Sequence, residues 1–494
     1  MSFNWLSTII FLPLATALAI ALIPRLPSKW VKYLAAAVTL IVLVLSVVLF
    51  IRFDRAASGM QFEELYSWIP ALGANYHLGV DGISLPLVVL TALLGMVAVL
   101  ISWKVEKRSK EFFIWLLLLE SSVLGVFCSL DLLLFFIFWE IEVIPVYFLI
   151  SIWGTGNQRY SATKYVIFTL AGSALMLAGI VSLYYATGSL DMVTMARSGA
   201  AMAQSVLPAA PIFFLLLAGF AVKLPVVPFH SWQPDTYSDA PVAVSVMLAG
   251  ALAKMGGYGM IRLCVSIFPD IAKQYAPLML TLAVIGIIYG GALALRQTNL
   301  KRLIAYSSIS HMGFVLLGIF ALGQTSLVGA SLQMVSHGLI TGLLFAVAGI
   351  VMQNTGEGEI PRLGGLARQM PSAATFFILA GLGALGLPST SGFAAEFTTF
   401  LGSFTSTQVP GVKVFVLIAL LGVLLAAAYI LWLIQRVFYG PVRPEFNDAH
   451  DAGKLQRLYC GILIILVFVI GVYPTLLTSV IQSSTAAVVK LVGG

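Results

Sequence analysis

The sequence carries little charge. Only 10% of its 494 residues are Asp, Glu, Lys or Arg, whereas 60% are hydrophobic. Soluble domains contain about 25% charged residues, so this composition excludes an ordinary soluble domain. The three cysteines, Cys128, Cys264 and Cys460, lie far apart without a CxxC pair. Neither a zinc site nor an iron–sulfur cluster is therefore predicted.

Motifs for nucleotides and nucleic acids are also missing. There is no GxxxxGK[ST] sequence for ATP and no GxGxxG sequence between a strand and a helix. The net charge of +7 comes from Lys and Arg scattered in short loops rather than from a basic face, which excludes a nucleic-acid binder. The chain thus has no energy source of its own.

Long apolar runs dominate the sequence instead. Each has about twenty residues, enough to cross a hydrocarbon core about 30 Å thick as a helix, and none alternates as barrel strands do. We predict an all-α polytopic membrane protein in which even the first run is retained rather than cleaved as a signal peptide. The fourteen predicted spans lie near 5–24, 31–51, 83–103, 112–130, 132–152, 163–187, 211–229, 240–264, 275–296, 303–322, 326–352, 372–398, 412–435 and 458–480.

Basic residues predict the orientation. Of the 27 Lys and Arg, seventeen fall in loops after odd-numbered spans and seven in loops after even-numbered spans or at the C-terminus. By the positive-inside rule the odd-numbered loops face the cytoplasm, and both termini face the lumen or periplasm.

The spans also indicate an internal duplication. Spans four to eight (112–264) and nine to thirteen (275–435) form two five-helix blocks, each with a proline-interrupted fourth helix. Because five is odd, successive blocks enter the membrane from opposite sides, as in the inverted repeats of transporters. We therefore predict four segments: three N-terminal helices in 1–111, the two blocks, and a loop with the last helix in 436–494.

Ionisable residues inside the spans are the candidate functional groups. Each costs at least about 2.5–3.5 kcal/mol at the bilayer centre, and a Lys/Glu pair whose separation can change acts as a proton switch. The group comprises Glu120, Glu140, Glu142, Lys223, Lys254, His311, His337 and Glu396.

Two of the candidates mark broken helices. Lys223 precedes Pro225 and Pro228, which cannot donate to the carbonyls of the preceding turn, so the helix breaks beside the lysine. Glu396 follows a second break around Pro388. A break at membrane depth is tolerated where it lines protein or a watery cavity, which favours proton exchange at both residues.

Glu140 and Glu142 lie two positions apart on one predicted helix. Residues i and i+2 lie about 200° apart on a helix, so both cannot face the same cleft. We assign proton chemistry to Glu140. Glu142 and Glu120 remain open between such a role and a contact with a partner protein or a buried polar group.

Lys254 and the two histidines complete the predicted route. Lys254 sits mid-span beside small residues that let helices approach. His311 follows two serines and His337 follows Gln333 at helical spacing, and a histidine can pass protons in either direction near neutral pH. Single histidines on different helices without an adjacent acid do not predict a metal site.

Several motifs resemble the antiporter-like membrane subunits of complex I. They are residues 136–140 (FIFWE), 223–235 (KLPVVPFHSWQPD), 301–313 (KRLIAYSSISHMG) and 386–388 (GLP). Residues 77–84 (HLGVDGIS) and 146–154 (VYFLISIWG) resemble the M-type (NdhD/NuoM) subunit, and 159–165 (RYSATKY) its cyanobacterial and chloroplast versions.

The resemblance implies fourteen helices with two inverted repeats and a proton channel. In that channel Glu140 pairs with Lys223, Lys254 links to His311 and His337, and Glu396 lies on the exit side. It implies that this chain is a translocating subunit of an NAD(P)H or ferredoxin:quinone oxidoreductase (NDH-1) with no redox centre of its own. Quinone, iron–sulfur clusters and any flavin belong to other subunits, which are its partners together with lipids.

Location and specialisation follow from the same resemblance. It implies a thylakoid or bacterial inner membrane and a quinone such as plastoquinone. Three other interpretations stay open: an NDH-1 variant for inorganic-carbon (CO2) uptake with a soluble module, an Mrp-type sodium/proton antiporter subunit, and an assembly scaffold that conducts no ion.

Overall fold

The computed structural model describes residues 3–197 and 208–493, which are helical almost throughout. Within these residues, twelve helical segments are long and apolar enough to cross a membrane. Two further apolar helices, Ala209–Lys223 and Pro371–Ala384, are shorter and lie at the predicted spans 211–229 and 372–398. The predicted polytopic helical membrane fold is confirmed.

The N-terminal part contains a β-hairpin in addition to its helices. Its elements are α1 (Trp5–Leu22), α2 (Ser28–Arg52), β1 (Gln61–Ile69), β2 (Ala74–Val80) and α3 (Ser84–Ile101). The two strands pair antiparallel. The sequence predicts only a loop here, because β1 is largely exposed and has no apolar face that could be recognised.

The middle of the chain begins with helices of very different length separated by breaks. In order they are α4 (Ser109–Cys128), α5 (Leu132–Ile141), α6 (Val143–Trp153), α7 (Gln158–Thr187), α8 (Met192–Arg197), α9 (Ala209–Lys223) and α10 (Trp232–Asp239). The break between α5 and α6 falls at Glu142, since Pro145 has no N–H for the carbonyl of Ile141.

The next span is continuous but irregular. It consists of α11 (Val242–Met247), a π-helical segment (Leu248–Leu252), α12 (Ala253–Gly259) and a second π-helical segment (Met260–Val265). Such π-turns inside α-helices occur frequently at functional sites.

The following helices form the second predicted block. They are α13 (Pro269–Arg296), α14 (Leu300–Phe320), α15 (Gln324–Thr355), α16 (Pro371–Ala384), α17 (Ser391–Thr405), α18 (Val412–Ala419) and α19 (Leu421–Phe438). The predicted interruption at Pro388 is present, because α16 ends at Ala384 and α17 starts at Ser391.

The C-terminus differs from the prediction. The predicted last span, 458–480, is divided between α20 (Lys454–Val472) and α21 (Thr475–Leu491). Pro474, which cannot continue the hydrogen-bond ladder of α20, lies at the break. α21 packs against the end of the hairpin, where Ser484 Oγ accepts a hydrogen bond from Gly82 N at 2.8 Å.

The predicted loops gather at two opposite ends of the bundle. Odd-numbered loops contact one another, as in the 2.8 Å hydrogen bond from Thr155 N to Asp239 O. Even-numbered loops do the same, as in the 3.3 Å hydrogen bond from Lys273 to Gln408. We call the first end the basic end. Between the two ends, α14, α15 and the span Val242–Val265 are almost wholly buried and form the centre.

Candidate functional site

The first part of the site is a buried ion pair at the end of α9. Lys223 is the last residue of that helix, and its Nζ contacts Glu142 Oε1. Both side chains are completely buried. The Tyr165 hydroxyl lies 2.5 Å from Glu142 Oε2 and 3.1 Å from Lys223 Nζ, and so closes a triangle of polar groups.

Local structure explains why the lysine stands there. Pro225 cannot donate to the carbonyl of Ala221, which accepts instead from Val226 N at 2.8 Å. The helix therefore ends at Lys223, and Trp139 and Tyr165 place their rings 5.5 Å and 5.2 Å from its Nζ. These aromatic faces stabilise the ammonium group.

The structure places Lys223 in direct contact with Glu142, whereas the resemblance implies a pair with Glu140. The lysine touches Glu142, while Glu140 Oε1 is buried without a hydrogen-bond partner among the described residues. Glu140 lies close enough to Lys223 to interact electrostatically. The physical reason is the break between α5 and α6, because Glu142 sits at the junction and not in the regular helix assumed by the sequence argument.

The second part of the site joins Lys254 to the histidines. Lys254 Nζ lies 2.8 Å from His337 Nδ1 and also donates to the carbonyl of Ala249 in the preceding π-helical segment. His337 Nε2 is 3.0 Å from the hydroxyl of Thr341, one turn further along α15. The structure thus brings together two residues that the sequence places on different helices.

His311 and Glu396 continue this part of the site. The ring centroids of His311 and His337 are 5.6 Å apart. His311 Nδ1 lies 3.2 Å from Glu396 Oε1, and His311 Nε2 lies 3.3 Å from the Tyr429 hydroxyl. Of the two histidines Lys254 contacts His337, and His311 contacts Glu396 and Tyr429.

A small cavity lies beside the histidines. It measures about 10 Å³, which is room for about one water molecule. Gln333 lines it with a buried Oε1 that has no partner in the described part of the chain. The break between α16 and α17 forms another wall. There Gly386 has a φ of +71°, and a Cβ on it would lie 2.8 Å from Glu396 Oε2.

The two parts of the site approach each other across a glycine. A Cβ on Gly256 would lie 2.6 Å from both Leu224 N and Phe220 O, so the end of α9 packs directly on α12. Gly256 is two residues after Lys254, and Leu224 follows Lys223. Close packing at this glycine therefore sets the spacing between the two lysines.

The arrangement can hold and pass protons. Amine, imidazole and carboxyl groups follow one another from Glu142 and Lys223, past Gly256, to Lys254, His337, His311 and Glu396. Each can bind or release a proton according to its neighbours. No group of three or more His, Cys, Asp or Glu suited to a metal ion occurs in residues 3–197 and 208–493.

Sequence reasoning missed several partners. It leaves the role of Glu142 open and singles out neither Tyr165 nor Tyr429. Asp81 pairs with the buried Arg262 through its Oδ1 and also accepts from Ile83 N at 3.0 Å. A signal for this pair is a lone arginine within an apolar stretch, but the sequence does not show which acid it contacts.

The fold and the buried row of ionisable groups define a polytopic membrane protein with an ion-handling centre. Comparison with known families assigns it more closely. Residues 129–424 match the family of NADH:quinone oxidoreductase and Mrp antiporter transmembrane proteins. The chain belongs to this family.

Full-length relatives support the assignment. The chain is 41% identical to NAD(P)H-quinone oxidoreductase chain 4 1 of Synechococcus sp. (strain JA-2-3B'a(2-13)), over 99% of this chain and 93% of that one. It is 40% identical to NADH-quinone oxidoreductase subunit M of Rhodobacter capsulatus, over 99% and 96%. A chain of respiratory complex I from Thermus thermophilus has a similar fold, with a TM-score of 0.88 at 26% identity over 99% of this chain and 100% of that one.

Proposed function

We propose that this chain is a proton-translocating membrane-arm subunit of an NADH- or NAD(P)H-quinone oxidoreductase complex. The observation that carries the proposal is the row of buried ionisable side chains through the centre of the bundle. Such groups are costly inside a membrane protein and mark ion pathways. The full-length relatives named as quinone oxidoreductase chains support the choice of complex.

The proposed route runs from Lys223 towards Glu396. Contact with a carboxylate keeps the proton on Lys223, and separation from it favours release. The released proton passes to Lys254, whose Nζ is in hydrogen-bond distance of His337. His337 gives it to His311, and His311 protonates Glu396. Each nitrogen donor is left neutral as the next group takes up the proton, and the Glu396 carboxylate becomes a neutral acid.

Electron transfer takes place in other subunits under this proposal. Quinone reduction there changes the separation of the carboxylate and Lys223 through the packed helices. The chain's own contribution is to hold, move and release protons at the named atoms, and its partners are the other membrane-arm subunits of the complex.

We also propose the two inverted five-helix repeats. A similar backbone hydrogen bond occurs in each block. In the first block Leu132 N donates to Leu190 O at 2.8 Å, and in the second block Leu300 N donates to Gly358 O at 2.9 Å. The breaks after α9 and α16 share a pattern too. Val226 N donates to Ala221 O, and Leu387 N donates to Leu382 O at 3.0 Å.

For the membrane, we propose a bacterial inner or thylakoid membrane with the basic end in the cytoplasm. The excess of Lys and Arg in the loops at that end supports this orientation. Both termini then lie on the lumenal or periplasmic side.

The proposal is tested by Lys223→Met in the complete complex reconstituted into vesicles. We expect quinone reduction to continue while the number of protons pumped per quinone falls, because the switch residue can no longer carry a proton. Lys413→Met, at an exposed lysine of the even-numbered end, is the matched control and should behave like the parent. Unchanged pumping in assembled Lys223→Met complex would overturn the proposal.

A sodium/proton antiporter subunit is the second candidate, because the matching family includes Mrp antiporters. The two candidates differ in their ion requirement. Transport that needs sodium and proceeds without quinone reduction would favour the antiporter.

A further inference from the structure

Two carboxylates compete for one buried lysine. Glu142 contacts Lys223 directly, and Glu140 is near enough to attract it. The two carboxylates differ in their hydrogen bonds. Glu142 Oε2 accepts a hydrogen bond from the Tyr165 hydroxyl at 2.5 Å. Glu140 Oε1 is buried and has no hydrogen-bond partner in the described residues. An unpaired carboxylate oxygen in an apolar site is an acceptor without a donor.

Both carboxylates lie near the lysine, and one of them stands at the junction of two helices. On an unbroken helix they would point about 200° apart. Here Glu142 lies between α5 and α6, where Pro145 removes a ladder hydrogen bond. A small rotation at this junction changes the direction of Glu142 with little effect on Glu140, which lies inside α5.

The lysine lies at a helix end between two aromatic rings. It is the last residue of α9, and the chain beyond it is broken rather than helical. Trp139, whose ring is 5.5 Å from Nζ, neighbours Glu140 in sequence and supplies an aromatic face on that side. Tyr165 supplies the face and the hydroxyl on the Glu142 side.

We propose that Lys223 exchanges between Glu142 and Glu140, and that Glu142 with Tyr165 is the partner that holds the lysine protonated at rest. This inference rests on the proposed function and deepens it, because it assigns a second carboxylate to the switch. The ammonium stays intact during the exchange. Its proton leaves for Lys254 from the position beside Glu140, where the lysine has lost both Glu142 and the Tyr165 hydroxyl.

The charges explain the order of events. A buried carboxylate left without its ammonium costs several kcal/mol, so Glu142 needs a remaining donor when the lysine departs. The Tyr165 hydroxyl is that donor. Glu140 gains the ammonium at the same time, so its unpartnered Oε1 gains a donor.

Glu142→Gln in the complete reconstituted complex tests the inference. The glutamine keeps the shape but not the charge, so Lys223 loses its resting partner. Only Glu140 is left, and the exchange between two carboxylates cannot take place. We expect quinone reduction at the parental rate. The number of protons pumped per quinone, the pumped-proton ratio, should be as low as in Lys223→Met. Glu142→Asp, which keeps a carboxylate, should recover part of the ratio.

The matched control is Glu120→Gln. Glu120 is also buried in a span and has an unpartnered Oε1, but it lies against Gly95 of α3 and does not contact Lys223. Removing the charge of Glu120 should leave the pumped-proton ratio unchanged. A parental ratio for Glu142→Gln would overturn the inference, and if Lys223→Met still fails to pump, the proposed function survives that result.

Tyr165→Phe supplies a second test that does not depend on how well Glu142→Gln assembles. It leaves both carboxylates in place and removes the 2.5 Å hydrogen bond to Glu142 together with the 3.1 Å hydrogen bond from Lys223 Nζ. We expect a lower pumped-proton ratio together with a shifted infrared band of one carboxylate during quinone reduction. A parental ratio and an unshifted band would overturn the role given to Glu142 and Tyr165.

Discussion

At the scale of the residue, small displacements of a side chain decide which ionisable group it contacts. Lys223 has two acidic candidates two positions apart, and the contact goes to the one at the helix junction. Lys254, by contrast, reaches the histidine predicted for it, because His337 faces it from a neighbouring, wholly buried helix. The ionisable residues could be recognised from their apolar surroundings, but the direction of each side chain could not.

Gly256 is the residue on which the spacing of the two lysines depends. Gly256→Ala would place a Cβ 2.6 Å from backbone atoms of α9, which cannot move aside as a flexible side chain can. We expect the helices to separate, with a loss of about 1–3 kcal/mol in stability and a lower pumped-proton ratio. Thermal unfolding of the complex and vesicle pumping measure the two effects.

Gly461→Ala is the control for that substitution. Gly461 lies in α20, where a Cβ would have nothing within 4 Å. Alanine there should be neutral or stabilise the helix by up to about 1 kcal/mol. Equal behaviour of the two variants would show that close packing at Gly256 is not needed.

At the scale of the element, charged side chains hold the β-hairpin in addition to the buried apolar residues of β2. His77 on β2 lies 2.6 Å from Asp191 and 3.0 Å from Glu63. Burial lowers the pKa of His77, but hydrogen bonds to Asp191 and Glu63 and the attraction of both carboxylates outweigh it and raise the pKa above 6.5. The hairpin therefore packs more firmly when His77 is protonated.

This arrangement predicts a pH dependence. Because the pKa is higher in the folded hairpin, the stabilisation is complete below pH 6.5 and is lost as the pH rises through the folded-state value. We expect about 1–2 kcal/mol, since one carboxylate is partly exposed. Hydrogen exchange of residues 61–80, corrected for its intrinsic pH dependence, should show roughly five- to thirtyfold less protection at high pH.

His77→Asn provides the comparison. It should exchange faster at about pH 6 and lose the pH dependence, whereas His450→Asn, at an exposed histidine of the basic end, should keep it. Protection that does not change with pH in the parent protein would contradict the prediction.

At the scale of the whole molecule, the fold separates a buried centre from accessible flanks. The central spans are almost wholly buried, but α1, α2 and α20 each expose about two thirds of their apolar windows. Such faces contact lipid or neighbouring membrane subunits. The molecule therefore buries its row of ionisable side chains and presents apolar sides to lipid or to neighbouring subunits.

Gentle purification through a tag on this chain tests that assembly. We expect to recover membrane-arm subunits together with a quinone-reducing module, identified by mass spectrometry. An additional soluble partner would indicate the carbon-uptake variant. Recovery of only small hydrophobic antiporter subunits would contradict the complex I assignment.

Membrane location, helical class, both broken helices and the set of ionisable residues inside the spans could all be predicted from the sequence. These are local properties, fixed by apolar length and by proline's missing N–H. The packed structure was needed to show that Glu142 contacts Lys223, that Tyr165 and Tyr429 join the site, and that a hairpin and α21 cap one end. Contacts such as Lys254 to His337 join residues 83 positions apart, and their distance depends on how the helices rotate and pack against one another.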